Sequence, residues 1–366
     1  MTGRRMWRAA AVAVVAVLAL GGGSAGADGR GGDDRDGRDG FDARPVTTGP
    51  NYDRNPSVVE DGSRTYLFFA RSQVPCNRLA GCDADNTDYD LYVKVSLNGG
   101  RTYGPDQLVA PNPGPSGLFR GRTIAATRRS NGQMVVFWAS GANANAPLYV
   151  LEETTQGVFT APTPMPQFVP GVNGAFNIDA VAKGNAVHLY TEECCAAPGV
   201  WAQLYVSPAA VTGRTLVSAD KNLPKVIVDR SGRFRLTYAD ASDYPTVEAY
   251  VNSSTDGLVF TQEVLAVREE GVSHWDPNLL QEGGLWYLFT APDDLSGRQQ
   301  IAVAVSRNFT SWTRPVRITP GEQNGVRYWD YWPEPFGARD QLYFTSERGV
   351  AGGPPGTGHI WRISAG

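Results

Sequence analysis

Apolar positions along the chain come in paired short runs. In S-H-W-D-P-N-L-L-Q-E-G-G-L-W-Y-L-F-T-A-P (273–292) one run follows a proline, a Gly pair intervenes, and an aromatic-rich second run carries Tyr287. Runs of this length, bounded by turn residues, predict two buried strands joined by a tight turn. The arrangement recurs. Pro277 precedes Tyr287 by ten residues, as Pro56 precedes Tyr66, Pro224 precedes Phe234 and Pro333 precedes Tyr343. Two copies lack the proline, R-T-I-A-A-T-R-R-S-N-G-Q-M-V-V-F-W-A-S (122–140) and N-I-D-A-V-A-K-G-N-A-V-H-L-Y-T (177–191). The first five copies are followed by a third strand, as in Y-D-L-Y-V-K-V-S and V-E-A-Y-V-N-S-S, and by a short fourth.

The copies begin near residues 55, 122, 177, 223, 276 and 332. A four-stranded repeat of about 50 residues is the signature of a β-propeller blade. The predicted fold is therefore all-β, a six-bladed β-propeller over residues 49–366, with five blades as the alternative. Because the chain ends soon after H-I-W-R-I-S, residues 45–50 are expected to supply the outer strand of the last blade.

Blade geometry gathers the residues before each marker proline, and the loops after each aromatic strand, at one mouth, the default pocket. Those positions hold Asp53, Arg54, Arg122, Asp179, Lys225, His274, Trp275, Asp276, Tyr331 and Glu334, and the loops add Arg71, Asp83, Asp85, Glu192, Glu193 and Glu347. Carboxylates, arginines and aromatic rings in one concave mouth suit carbohydrate chemistry, since rings stack on sugars and paired carboxyls do glycosidic acid–base work.

The two ends and the charge balance refine this picture. Arg4, Arg5 and Arg8, the apolar run 9–20 and Ala25-Gly26-Ala27 read as a signal peptide over 1–27, so the protein is expected to be secreted and extracellular. R-R-M-W-R also fits twin-arginine export. The apolar run is too short to span a bilayer. Removing the peptide deletes three arginines and takes the formal charge from −4 to −7, which leaves no basic footprint for nucleic acid. Residues 28–48 carry so little apolar surface that a disordered linker is expected. In an exported chain the four cysteines, Cys76, Cys82, Cys194 and Cys195, are expected in disulfides, with three connectivities open. D-A-D-N-T-D-Y-D (83–90) has oxygen ligands at alternating positions and could hold a structural Ca²⁺; no catalytic metal or other cofactor is expected.

R-N-P (54–56), F-F-A-R, the loop C-D-A-D-N-T-D and the box S-L-N-G-G-R-T-Y (96–103), with a second box at S-T-D-G-L-V-F (254–260), resemble the opening blade and Asp-boxes of bacterial sialidases. D-Y-W-P-E-P-F (330–336) resembles the segment that carries their catalytic tyrosine. The resemblance implies Tyr331 as nucleophile, Asp83 or Asp85 as general acid/base, Arg54 as one of three carboxylate-binding arginines, and a glutamate partner for the tyrosine, with Glu192 and Glu193 as candidates. N-I-D-A, W-D-P-N and P-E-P are similar to the arabinanase and β-xylosidase type of propeller glycosidase, which implies catalytic roles for Asp179, Asp276 and Glu334. Arg71, Arg122, His274 and Trp275 complete the expected substrate-binding set. Together these imply a monomeric secreted glycoside hydrolase acting on an extracellular glycan. The alternatives are a propeller that binds sugar or protein without catalysis, and a polysaccharide lyase.

Overall fold

The computed structural model describes residues 43–114, 119–141, 146–194, 197–296, 298–323, 325–337, 340–350 and 355–364. The expected signal peptide, and the linker as far as residue 42, lie outside the described residues.

Among the described residues six antiparallel meanders follow one another along the chain. The first contains Asn51–Asp61, Arg64–Pro75, Tyr89–Ser96 and Gln107–Ala110. The second contains Thr123–Arg128, Met134–Ala139 and Tyr149–Thr155, edged by Val158–Phe159 and Thr163–Pro164. The third runs through Ala175–Lys183, Ala186–Glu193, Gly199–Ser207 and Ala210–Ala219, and the fourth through Asn222–Val228, Phe234–Asp243, Thr246–Ser254 and Val264–Val267. Ser273–Glu282, Leu285–Asp293, Ala302–Ser306 and Val316–Arg317 make the fifth, and Asp330–Phe336, Gln341–Ser346 and His359–Ser364 the sixth. One parallel bridge, Val247 to Ser273, joins the fourth to the fifth.

The first strand of each meander packs against the first strand of the next, and that of the sixth against that of the first. The outer strand of the sixth sheet comes from Ala43–Pro45, which pairs with Trp361–Ile363. This strand lies slightly upstream of the expected 45–50 and inside the stretch expected to be disordered. The physical reason is that pairing with a strand edge uses backbone groups and asks little of side-chain hydrophobicity. Val46 N donates to Ile360 O at 2.7 Å, and Ile360 N to Thr47 Oγ1 at 2.9 Å.

The marker prolines have a structural meaning. The residue before each of four of them has positive φ: Asn55 (54°), Leu223 (54°), Asp276 (52°) and Trp332 (50°). At the same points the strand register shifts, between Arg54 and Ser57, Asn222 and Lys225, Trp275 and Asn278, and Tyr331 and Glu334. Each is a β-bulge, which bends the strand and re-aims side chains at its end. The preceding residue is disfavoured from the ordinary α region by the proline ring. Left-handed backbone in four non-glycine residues is costly and persists only where the surroundings enforce it. The third meander has the same shift, between Ala175 and Ile178, without a proline.

Apolar side chains fill the spaces between successive sheets. Phe137 and Tyr205 meet between the second and third, Phe234 and Tyr190 belong to the cluster between the third and fourth, and Leu67 and Tyr343 share one between the first and sixth. Each buried Phe or Leu removed from water contributes roughly 1.5–3 kcal/mol.

Candidate active site

The bulges deliver their residues to one cavity of about 180 Å³, whose lining includes Arg54, Arg78, Asp85, Arg122, Trp275, Asp276, Tyr331 and Trp332. Six residues chosen from the sequence therefore share a wall: Arg54, Asp85, Arg122, Trp275, Asp276 and Tyr331.

Tyr331 sits at the centre of a hydroxyl chain. Its phenol oxygen is hydrogen-bonded to the Tyr52 hydroxyl, which donates to Glu347 Oε1. All three side chains are buried. Burial raises the Tyr331 phenol well above its ordinary range, and the Arg54 guanidinium works against that rise. Burial also raises Glu347, so this carboxyl is a better proton acceptor than an exposed one, although Arg78 opposes the shift. The glutamate that hydrogen bonding links to Tyr331, through Tyr52, is Glu347. Glu192 and Glu193 make other contacts: Glu192 accepts from Asn177 Nδ2 at 2.7 Å and from Leu223 N at 3.0 Å, two residues that line the cavity, and Glu193 pairs with Arg214.

Three arginines surround the Asp85 carboxylate. Arg54 Nη1 lies 3.1 Å from it, Arg122 Nη2 2.9 Å and Arg78 Nη2 2.5 Å. Burial opposes ionisation of Asp85, but the three guanidinium groups outweigh it and hold the carboxyl down at about 2. Positive charge still exceeds negative here. Burial, then the neighbouring Arg54, pull Arg122 down to about 10. Arg54 lies over the Trp332 ring at 4.1 Å, and Arg78 over Trp329 at 4.2 Å. Such contacts offset part of the cost of burying the guanidinium groups.

Local chain features hold this arrangement. The Cys76–Cys82 disulfide closes the short loop that carries Arg78. Arg78 N donates to Gly356 O at 2.8 Å, while Gly356 N donates to Glu347 O at 2.7 Å, so one backbone relay ties both residues together. Gly358 allows the Tyr52 ring to approach, because a Cβ there would lie 2.4 Å from it. This bridge settles one of the three connectivities and leaves the two cysteine loops unlinked; Cys194 is also disulfide-bonded, and Cys195 lies outside the described residues.

Asp179 and Glu334 form a second cluster with Lys225. Lys225 Nζ is 3.4 Å from Glu334, and Asp179 and Asp276 also act on it electrostatically. Burial lowers the ammonium, but these acids outweigh that and keep it charged. Asn278 Nδ2 donates to Glu334 at 3.0 Å and Val226 N to Asp179 at 2.7 Å. Neither acid lines the cavity, so the trio expected from the arabinanase-type motifs meets around a lysine instead of presenting three free carboxyls. Asp276 belongs to both places. It lines the cavity, accepts from Trp332 N at 3.2 Å, and is raised by burial to about 6.

Besides Asp179 and Glu334, three more expected site residues, Asp83, Arg71 and His274, lie outside the cavity. The exposed Asp83 carboxylate caps its own turn, accepting from Asp85 N and Asn86 N. Arg71 is engaged by Asp53 at 2.6 Å and also pairs with Asp106. His274 is fully buried between Thr290 Oγ1 at 3.0 Å and Glu269 Oε2 at 2.9 Å. The acids of the 83–90 loop point to separate partners, Asp85 to the arginines, Asp88 to Arg120, and Asp90 to Gln73 and Asn112. No group of three or more metal-ligating side chains occurs among the described residues.

Similarity to solved structures follows the fold. A sialidase from Trypanosoma rangeli superposes with a TM-score of 0.58 at 11% identity, over 86% of this chain and 55% of that one. The same sialidase with 2,3-difluorosialic acid, described as a covalent intermediate, gives 0.55 at 12% identity, over 86% and 54%. The chain thus spans about half the length of that enzyme. An α-L-arabinofuranosidase from Fusarium graminearum, bound to an iminosugar inhibitor, gives 0.55 at 13% identity, over 89% and 96%. No protein-family model matches the sequence, and no curated protein sequence does. The all-β fold of the protein is similar to the folds of these glycoside hydrolases. The likeness extends to both the sialidase and the arabinofuranosidase.

Proposed function

We propose that the chain is an exported glycoside hydrolase built as a closed ring of six blades, and that it cleaves a carboxylate-bearing sugar from an extracellular glycan. The cyclic packing of the six first strands supports the ring. The observation that carries the function is the Tyr331–Tyr52–Glu347 chain opening beside three arginines. The Tyr331 oxygen attacks the anomeric carbon, its proton passes to Tyr52, and the Tyr52 proton passes to Glu347. A carboxyl near neutrality must protonate the departing oxygen. Asp276, raised to about 6, suits that role, and its carboxylate then activates the water that releases the sugar. Two displacements at one carbon retain the configuration. Arg54, Arg78 and Arg122 hold the substrate carboxylate by paired charge-assisted hydrogen bonds. Trp275 and Trp332 supply ring faces for stacking.

The test is a screen of aryl sialosides, uronides, arabinofuranosides and xylosides. The responsive glycoside should be turned over roughly 10³-fold or more slowly by Tyr331→Phe, which removes the nucleophile. Glu347→Gln should lose roughly 10²–10⁴-fold, the span of general base catalysis. Full activity in both variants excludes the assignment. A tyrosine beside arginines also fits a lyase acting next to a uronic carboxylate, so products should be checked for an unsaturated sugar by ultraviolet absorbance.

A further inference from the structure

The arginine cluster already holds a carboxylate, and that carboxylate belongs to the chain itself. Asp85 bridges Arg54, Arg78 and Arg122, yet its side chain is 41% exposed while the arginine side chains are 3%, 19% and 14% exposed. The acid therefore approaches from the solvent side of a nearly buried cation group, as a ligand would. The cluster retains spare donors. Arg54 Nε and Arg122 Nε are buried and have no hydrogen-bond partner among the described residues. Asp85 sits in a turn that Asp83 caps and that Thr87 Oγ1 closes by donating to Asp83 O at 2.9 Å, next to the buried Ala84, whose carbonyl accepts from the Tyr89 hydroxyl at 2.7 Å. The main-chain oxygens of Ala84 and Asp85 accept from Arg54 Nη1 at 3.2 Å and Arg122 Nη1 at 3.3 Å. Carboxylate and loop backbone together engage Nη donors of all three arginines.

We propose that Asp85 is an internal stand-in for the substrate carboxylate, which a carboxylate-bearing monosaccharide displaces from Arg54, Arg78 and Arg122. The inference rests on the cavity accepting an acidic sugar, but it does not require Tyr331 to be a nucleophile. Exchange of one carboxylate for another keeps the buried guanidinium groups paired throughout, so the arginines never face the cost of uncompensated buried charge. A neutral sugar has no group to trade and leaves Asp85 in place. Selectivity then comes from the swap: affinity for every ligand is reduced by the hold of Asp85, and an acid alone recovers it.

Binding, not turnover, tests this. The full-length chain, Asp85→Asn and Asp85→Ser are titrated calorimetrically with D-glucuronate, N-acetylneuraminate and D-glucose, with a melting curve for each protein. Both variants should bind one of the two acids about tenfold or more tightly than the unmodified chain, since the internal competitor is gone. The acid that gains identifies the sugar class, and glucose should not gain. Equal or weaker binding of both acids, or an equal gain for glucose, overturns the proposal. If neither variant folds, hydrogen exchange on the unmodified chain decides. A saturating acid sugar should speed exchange at the amides of residues 84–88 as Asp85 is released, and unchanged exchange there overturns the proposal. A glycosidase assay that fails while these gains appear would remove the hydrolase reading and leave the swap standing.

Discussion

Asp276 illustrates how one position carries both cost and chemistry. Its backbone is left-handed, its carboxyl is buried, and burial raises it to about 6 from an ordinary carboxylate value near 3.8. A folded-state value above the unfolded one means that the native state binds the extra proton between about pH 4 and 6. Stability from this group is full below about pH 4 and is lost as pH rises through about 6. Asp276→Asn should therefore melt progressively higher relative to the unmodified chain as pH goes from 4 to 7, and should lose turnover across the whole range. A melting difference that does not change with pH would show that Asp276 is not held protonated. The sequence marked Asp276, Arg54 and Tyr331 because each stands just before a repeated proline. It did not mark Tyr52, although strand alternation puts residues 52 and 54 on one side. Choosing by charge favoured Asp53, which turns to Arg71 instead.

At the scale of single elements, the loop closed by Cys76 and Cys82 matters more than its length suggests. Closing so short a loop contributes about 2 kcal/mol by the loop-entropy relation. Its larger effect is on position, because Arg78 lies inside it and contacts both Asp85 and Glu347. Cys76→Ser with Cys82→Ser should lower stability by about that amount and raise KM more than it lowers kcat, as expected when a substrate clamp loosens. Equal KM in the double variant would separate the disulfide from the site. Nothing in the local sequence pointed Arg78 at the mouth, since a loop within a disulfide can project in any direction until its neighbours are known. The turns were more legible. Ser96–Asn98 and Ser254–Asp256 share one hydrogen-bonding scheme, and Ser306–Asn308 repeats it in the fifth sheet. That third copy is not legible in the sequence because its box, S-R-N-F-T-S-W (306–312), lacks both aspartate and glycine.

For the molecule as a whole, the last sheet depends on a strand from the other end of the chain. Ala43–Pro45 covers the edge of His359–Ser364, and Thr47 ties the junction. A chain beginning at residue 50 should lose this edge strand, melt lower and associate through the uncovered edge. One beginning at residue 43 keeps the strand. Light scattering and melting curves on the two chains check this; equal behaviour would mean that the sixth sheet does not depend on the pairing. A strand of three residues inside a polar stretch has no hydrophobic signal, which is why composition placed it in a linker.

Local pattern alone determined the elements: alternating runs, turn residues and the proline spacing specify strands, hairpins and a repeat, because those depend on neighbours within a few residues. Pattern also narrowed the mouth to a set of acids, arginines and rings. Which of them touch was decided by the tertiary structure. Tyr52, Arg54, Arg78, Tyr331 and Glu347 come from both ends of the chain, and only the docking of the first sheet against the sixth joins them. Side-chain partnership inside a buried site follows from which groups can satisfy one another's charge and hydrogen bonds once packed. The order of residues along the chain does not contain that information.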